Sequence, residues 1–199
     1  MLDLSRPSTE VAPLLLGAIV HGRGVSVRLT EVEAYLGEVD PGSHAFRGQT
    51  RRNAVMFGPP GHLYTYFTYG MHVCANVVCS PEGIATAVLL RAGEVVDGLE
   101  PARERRTTSR SDVDLARGPA RLCVALGITL GDDGDDLATG AITLEPAPHP
   151  APVVATGPRT GVSGEGGTDA FPWRFWIPGD RTVSPYKASV KKVRYSPPR

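Results

Sequence analysis

Glycine and proline interrupt this chain so often that few long elements fit between them: 23 glycines and 18 prolines fall within 199 residues. Proline lacks an N–H and fixes φ, and ordering glycine costs the most backbone entropy, so each tends to end the element it enters. A helical bundle is excluded, and many turns joining short elements are expected. The run 25–35 escapes this punctuation. In it Val25, Val27 and Leu29 alternate with Ser26, Arg28 and Thr30, the period of a strand. Residues 62–69 and 72–79, joined near Gly70, predict two more strands, and 84–91 another, with shorter ones at 141–145 and 172–178. Helices are expected at 9–21, with Pro13 in the first turn and Gly17 near the end, and at 117–126, opened by Gly118-Pro119 and closed by Gly127. Segments 104–114 and 163–169 are polar and read as loops. The expectation is a mixed α/β (α+β) fold. It is a single domain over 1–199, built around a curved, largely antiparallel β-sheet flanked by short helices.

No apolar run is long enough to span a bilayer, and Met1–Ser5 lacks the basic start and apolar stretch of a secretory signal, so a cytoplasmic location is expected. Cys74, Cys79 and Cys123 cannot all pair and read as reduced core thiols. They form no zinc-site spacing with histidine, and no metal or cofactor is expected. Net charge is zero, but its distribution is uneven. From Pro41 to Pro81 there is no acid, while Arg47, Arg51 and Arg52 stand among Phe46, Phe57, Tyr64, Tyr66, Phe67 and Tyr69. That mixture suits a surface that tracks phosphates and stacks on bases. From Phe171 onward, Arg174, Arg181, Lys187, Lys191, Lys192, Arg194 and Arg199 face Asp180 alone. The end of this stretch, 187–199, reads equally as a flexible, solvated basic tail.

Strict alternation continued past Leu29 puts Glu31, Glu33 and Tyr35 on the face of Val25 and Val27. An ionised carboxylate on an apolar face is costly unless it is paired or lines a cleft. A carboxylate beside an aromatic ring is useful in a site, but the same pattern fits a strand end emerging into solvent. Alternation alone does not separate Glu31 from Glu33.

Glu31-Val32-Glu33-Ala34-Tyr35-Leu36-Gly37, then Asp40, Ser43-His44 and Arg47-Gly48-Gln49-Thr50-Arg51-Arg52-Asn53, resemble the alkyladenine (3-methyladenine) DNA glycosylases, the group without a helix-hairpin-helix. The resemblance continues in order through Pro60-Gly61, Tyr64, Tyr66, Tyr69-Gly70-Met71, Cys74 and Asn76. It then runs through Val88–Ala92, Gly118-Pro119 with Arg121-Leu122-Cys123, and Pro158-Arg159 with Gly161-Val162. It implies a base-excision-repair enzyme that flips an alkylated or deaminated purine from duplex DNA and hydrolyses its N-glycosidic bond. Substrates of that class include 3-methyladenine, 7-methylguanine, hypoxanthine and ethenoadenine. The resemblance implies Glu33 as the residue that activates water and Arg91 as its helper; an ion pair of Arg91 with Glu31 or Glu33 is compatible with that role. It implies Tyr35 as one wall of the base pocket, His44 and Tyr66 as the other, and Asn76 at the purine edge. Tyr69 is implied as the wedge inserted into the duplex, and Arg51, Arg121 and Arg159 as contacts to the DNA backbone.

The chemistry agrees with the assignment of Glu33. Glycosidic cleavage passes through an oxocarbenium-like state, which a carboxylate both stabilises and supplies with activated water. Schiff-base glycosylases need an amine, and the lysines are Lys187, Lys191 and Lys192 alone, distant in sequence from the implied pocket residues. A monofunctional, monomeric enzyme acting on double-stranded DNA is therefore expected. A non-catalytic nucleic-acid-binding module and a nucleoside hydrolase are the alternatives. Asp132-Asp133-Gly134-Asp135-Asp136 lacks the spacing of a calcium loop and reads as a loop held away from DNA.

Overall fold

In the computed structural model, which describes residues 2–68, 70–149 and 153–189, the uninterrupted run Val25–Tyr35 forms strand β2, the centre of the sheet. The other strands are β1 (Ile19–Gly22), β3 (Leu63–Thr68), β4 (His72–Cys79), β5 (Thr86–Asp97), β6 (Ile142–Glu145), β7 (Ala155–Gly157) and β8 (Arg174–Trp176). They form one eight-stranded sheet, ordered β3-β4-β5-β2-β1-β6, with β8 pairing β2 and β7 pairing β8. Every pairing between these strands is antiparallel. Three short α-helices accompany it among the described residues: α1 (Ser8–Val11), α2 (Leu99–Arg105) and α3 (Pro119–Leu126). The expected mixed α/β class with an antiparallel sheet and short helices is what forms. Among the described residues no helix is long and apolar enough to cross a membrane.

Helix α3 is built as its sequence predicts, with Pro119 in the first turn and Gly127 at φ 71° ending it. Leu122, Cys123, Ala125 and Leu126 are buried in the main core. The expected helix at 9–21 does not form. Its α-helical part ends at Val11, a 3-10 turn containing Pro13 covers Ala12–Leu15, and Ile19–Gly22 is strand β1. Proline cannot donate the bond that would continue the helix, and Gly17 at φ 87° turns the chain into the sheet. Helix α2 enters the segment expected to be a loop, and β7 forms where the sequence predicts no strand. The acidic run 132–136 is structural. Asp132 caps Thr129 and pairs with Arg23, while Asp133 accepts the Thr65 N–H at 2.8 Å. With Gly134 N–H donating to Leu63 O at 2.7 Å, the loop covers the outer edge of β3, an otherwise open edge strand.

The alternation of β2 is interrupted. Leu29 stands opposite Gly93, Glu31 opposite Ala92 and Val32 opposite Leu90, so Thr30 is an extra residue on β2 and Arg91 an extra residue on β5. Such bulges re-aim side chains. Val25, Val27 and Leu29 enter the main core before the irregularity, and Val32 and Ala34 enter it afterwards. Glu31, Glu33 and Tyr35 therefore project from the opposite face, not from the face that unbroken alternation assigns them. β2 also changes neighbours here: β1 pairs with Val25–Arg28, and β8 with Glu31–Glu33. The close approach of β2 and β5 depends on Gly93, where a Cβ would lie 2.4 Å from the Arg28 carbonyl oxygen and the Val27 side chain. Gly93→Ala is expected to lower stability by about 1–3 kcal/mol, the usual cost of overpacking. Urea unfolding followed by circular dichroism measures it.

Candidate active site

Directly opposed residues share a sheet face. One row runs Tyr64–Asn76–Leu89–Glu33–Arg174 across β3, β4, β5, β2 and β8. It lies on the face turned away from the main core. Tyr64, Asn76, Leu89 and Glu33 of that row line a cavity of about 750 Å³, completed by Tyr35, His44, Tyr66, Arg91 and Arg121 among others. The volume is within the range of small-ligand sites.

Glu33 is fully buried. Its Oε1 accepts the Thr160 N–H at 2.6 Å and lies 3.3 Å from Arg91 Nη1; its Oε2 accepts the Tyr35 hydroxyl at 2.9 Å. Every contact is with a donor, and a carboxylate has about four acceptor positions, so one remains. Glu31 is also fully buried but does not line the cavity. Its Oε1 accepts Arg91 Nε at 2.8 Å and Arg174 Nε at 2.6 Å, and its Oε2 accepts the Ser184 N–H at 2.7 Å. The two acids that alternation left equivalent thus have different surroundings. Glu31 is held by structural partners away from the cavity, whereas Glu33 faces it.

The aromatic residues come together around this carboxylate. Burial, reinforced by the Glu33 charge, raises the Tyr35 hydroxyl well above its ordinary pKa of 10, so it stays a neutral donor. His44 and Tyr66 pack edge to face with centroids 4.5 Å apart, and Tyr64 stacks beside Tyr66 at 5.8 Å and lies 3.2 Å from His44 Nδ1 through its hydroxyl. Desolvation and the charge of Arg52 lower the His44 pKa from 6.5, so this wall is uncharged at neutral pH. Asn76 donates to the Tyr64 carbonyl at 3.1 Å, which orients its amide along the cavity. Tyr69 lies outside the described residues.

Of the three arginines expected on the DNA backbone, Arg121 lines the cavity from the first turn of α3 and pairs with Asp114. Arg51 is exposed in the turn after Thr50 and does not line the cavity. Arg159 must be reassigned. It is fully buried, with Nη1 and Nη2 bonded to the Asp40 carboxylate at 2.6 and 2.7 Å and further bonds to the Ala34 and Gly166 carbonyls. Its guanidinium lies 4.5 Å from the Tyr35 ring centroid and 5.2 Å from that of Trp173. It braces the Tyr35 wall and has no surface to offer a phosphate. Arg174, counted with the basic surface, is likewise buried against Glu31.

Sequence reasoning missed Thr160 and Lys187 at the cavity; Arg52, counted with the basic, aromatic-rich surface, lies 6.0 Å from the Tyr66 ring centroid. Lys187 matters because remoteness in sequence had set the lysines apart. Its carbonyl accepts the Gly161 N–H at 2.9 Å, and this contact brings an exposed lysine to the rim. Residues 187–189 of the expected tail thus belong to the site, and 190–199 lie outside the described residues.

Burial tends to raise the pKa of Glu31, but Arg91, Arg174 and the Ser184 N–H outweigh it and hold the carboxyl below its ordinary 4.5. A carboxyl depressed in this way gives its full stabilisation above the unfolded value and loses it as pH falls through the folded one. Wild-type stability is expected to fall steadily below about pH 4.5. Glu31→Gln should be less stable at pH 7 and show a smaller acid loss, which urea midpoints measured across pH will read.

Comparison with known proteins identifies the family. The sequence model of the methylpurine-DNA glycosylase (MPG) family matches residues 3–181. A protein of Leifsonia xyli subsp. xyli is 61% identical over 189 residues, covering 90% of this chain and 88% of its own. One of Streptomyces avermitilis is 54% identical over 198 residues (96% and 92%), and one of Nocardia farcinica 56% over 185 (89% and 86%). All three carry the name "Putative 3-methyladenine DNA glycosylase". With the match running from before the first helix to beyond the last described strand, the chain belongs to the methylpurine-DNA glycosylase family.

Proposed function

We propose that this protein is a monofunctional DNA glycosylase that excises alkylated or deaminated purines, with Glu33 activating water. The observation that carries the reading is the placement of Glu33: a buried carboxylate with three donors around it, facing a cavity walled by Tyr35, Tyr64, Tyr66 and His44. A flipped purine fits between aromatic walls that supply stacking. A base alkylated at N3 or N7 is cationic and is attracted to their faces. The neutral His44 adds no repulsion to such a base. Asn76, oriented by Tyr64, is available to test the purine edge.

The chemical step follows from these positions. The C1′–N9 bond breaks with both electrons going to the base: a cationic purine departs neutral, and a neutral one such as hypoxanthine departs as an anion that takes a proton from water. The negative charge of Glu33 stabilises the developing oxocarbenium ion. Water adds its oxygen to C1′, and its proton passes to Glu33, leaving an abasic site. Arg91, held by Glu31, fixes the other side of the Glu33 carboxylate. Tyr69 fills the gap left in the stack, and Arg51, Arg121 and Lys187 meet phosphates around the cavity mouth. The substrate is double-stranded DNA, engaged by a monomer in the compartment that holds the DNA, the cytoplasm. The reading includes 3-methyladenine, 7-methylguanine, hypoxanthine and ethenoadenine.

Lys187 is exposed at the rim of the cavity, whereas Glu33 is buried facing it, so water is the attacking group in this reading. Glu33→Gln, which keeps shape and removes the base, should reduce single-turnover release of 3-methyladenine from duplex DNA by at least about a hundredfold. Retained activity would remove Glu33 from the chemistry. Borohydride reduction during turnover should trap no protein–DNA adduct. An adduct lost in Lys187→Ala would show lyase chemistry at the rim instead.

A further inference from the structure

Among the described residues, two buried side-chain oxygens lack a hydrogen-bond partner: Thr65 Oγ1 and Thr160 Oγ1. Only Thr160 lines the cavity. Leaving a buried hydroxyl unsatisfied is unfavourable, so an unpaired one at a functional site implies a partner supplied during function. The surroundings of this hydroxyl narrow what that partner is. The Thr160 backbone N–H already donates to Glu33 Oε1 at 2.6 Å. Covalent geometry keeps a threonine's Oγ1 within about 3–4 Å of its own nitrogen, so the hydroxyl is at most about 6–7 Å from that carboxylate oxygen, the span that one bridging water covers.

We infer that the Thr160 hydroxyl is a ligand of the attacking water, holding it together with Glu33. This rests on the reading of Glu33 as the water-activating base. The acceptor position that Tyr35, Thr160 N–H and Arg91 leave on Glu33 takes one proton of the water, and the Thr160 hydroxyl donates to the water oxygen or accepts its second proton. Two such partners define a direction for the oxygen, which an ordered water in a polar site requires.

The segment is suited to that role because both flanks of Thr160 are fixed. Arg159 is locked by Asp40, Ala34 and Gly166, and the Gly161 N–H is tied to the Lys187 carbonyl. The β-branched side chain has few rotamers to choose from. The hydroxyl is thus preorganised, with little ordering left to do when substrate enters.

Thr160→Val tests this directly, since it keeps the backbone bond to Glu33 and the branched shape and removes only the hydroxyl. It should slow single-turnover base release about tenfold, by a similar factor for 3-methyladenine and hypoxanthine. Affinity for duplex DNA carrying an abasic analogue should be unchanged. Thermal stability should hold or rise, because an unpaired buried hydroxyl is gone. Thr160→Ser should restore most of the rate. A purely structural role for the hydroxyl predicts loss of stability instead, and that result overturns the inference. So does an unchanged rate in Thr160→Val, or a rate loss confined to one lesion, which would place the hydroxyl on the base edge. Glu33→Gln measured alongside separates the two levels: if it is inactive while Thr160→Val is fully active, the Thr160 assignment fails and the role of Glu33 stands.

Discussion

Glu31 holds Arg91 and Arg174 in a space closed to water, and the site is assembled around that ionic knot. Burying ions costs several kcal/mol each, which only close pairing and full hydrogen bonding offset. Here both oxygens of Glu31 are used, and Ser184 contributes its N–H to the acid, its hydroxyl to Arg91 and its carbonyl to Arg174. The result fastens β2, β5, β8 and the segment after β8 at one place. Arg91 then presents its remaining nitrogen to Glu33 as a fixed, not a searching, group. Preorganised charge of this kind is the form in which proteins stabilise developing ions most effectively.

A second buried pair does the same for the aromatic wall. Arg159 and Asp40 form a two-bonded fork, and the flat guanidinium between Tyr35 and Trp173 leaves the Tyr35 ring little room to tilt. The hydroxyl of the same ring is tied to Glu33. The Tyr35 ring and the Glu33 carboxylate are therefore positioned as one unit. Both follow from the irregular pairing of β2 with β5, which turns Glu31, Glu33 and Tyr35 away from the hydrocarbon core.

Much of the sheet is legible in the sequence because strands 25–35, 63–68 and 72–79 and helix 119–126 carry local signals: alternation, a glycine turn, and a Gly-Pro start with a glycine stop. The first helix is shorter than its apolar run suggests because Pro13 outweighs that run, and β7, at three residues, is too short for any periodicity. The bulge leaves no local mark, since the alternating letters of β2 read the same with or without it. Its one signal is the cost of two acids on an apolar face, which does not by itself yield the shift in register. Glu33, Tyr35, His44, Tyr66, Asn76 and Arg91 are reached through resemblance and do converge. Arg159 is misplaced by sequence because an exposed and a buried arginine look alike until the partner, Asp40, is brought from 119 residues away. Thr160 and Lys187 escape for the same reason: their place at the cavity is created by long-range folding alone.

The closure of the site by residues 184–189 has a consequence for synthesis. A chain emerging from the ribosome can pair β3, β4, β5 and β2 long before Ser184 and Lys187 exist, and domains begin to order from the N-terminal side. During that interval Arg91 and Glu31 meet without Arg174 or Ser184, and Glu33 lacks the Thr160 N–H. The Glu33 carboxylate is then without the full set of donors that align it. The complete arrangement around Glu31 and Glu33 thus forms only once the segment carrying Ser184 and Lys187 has docked.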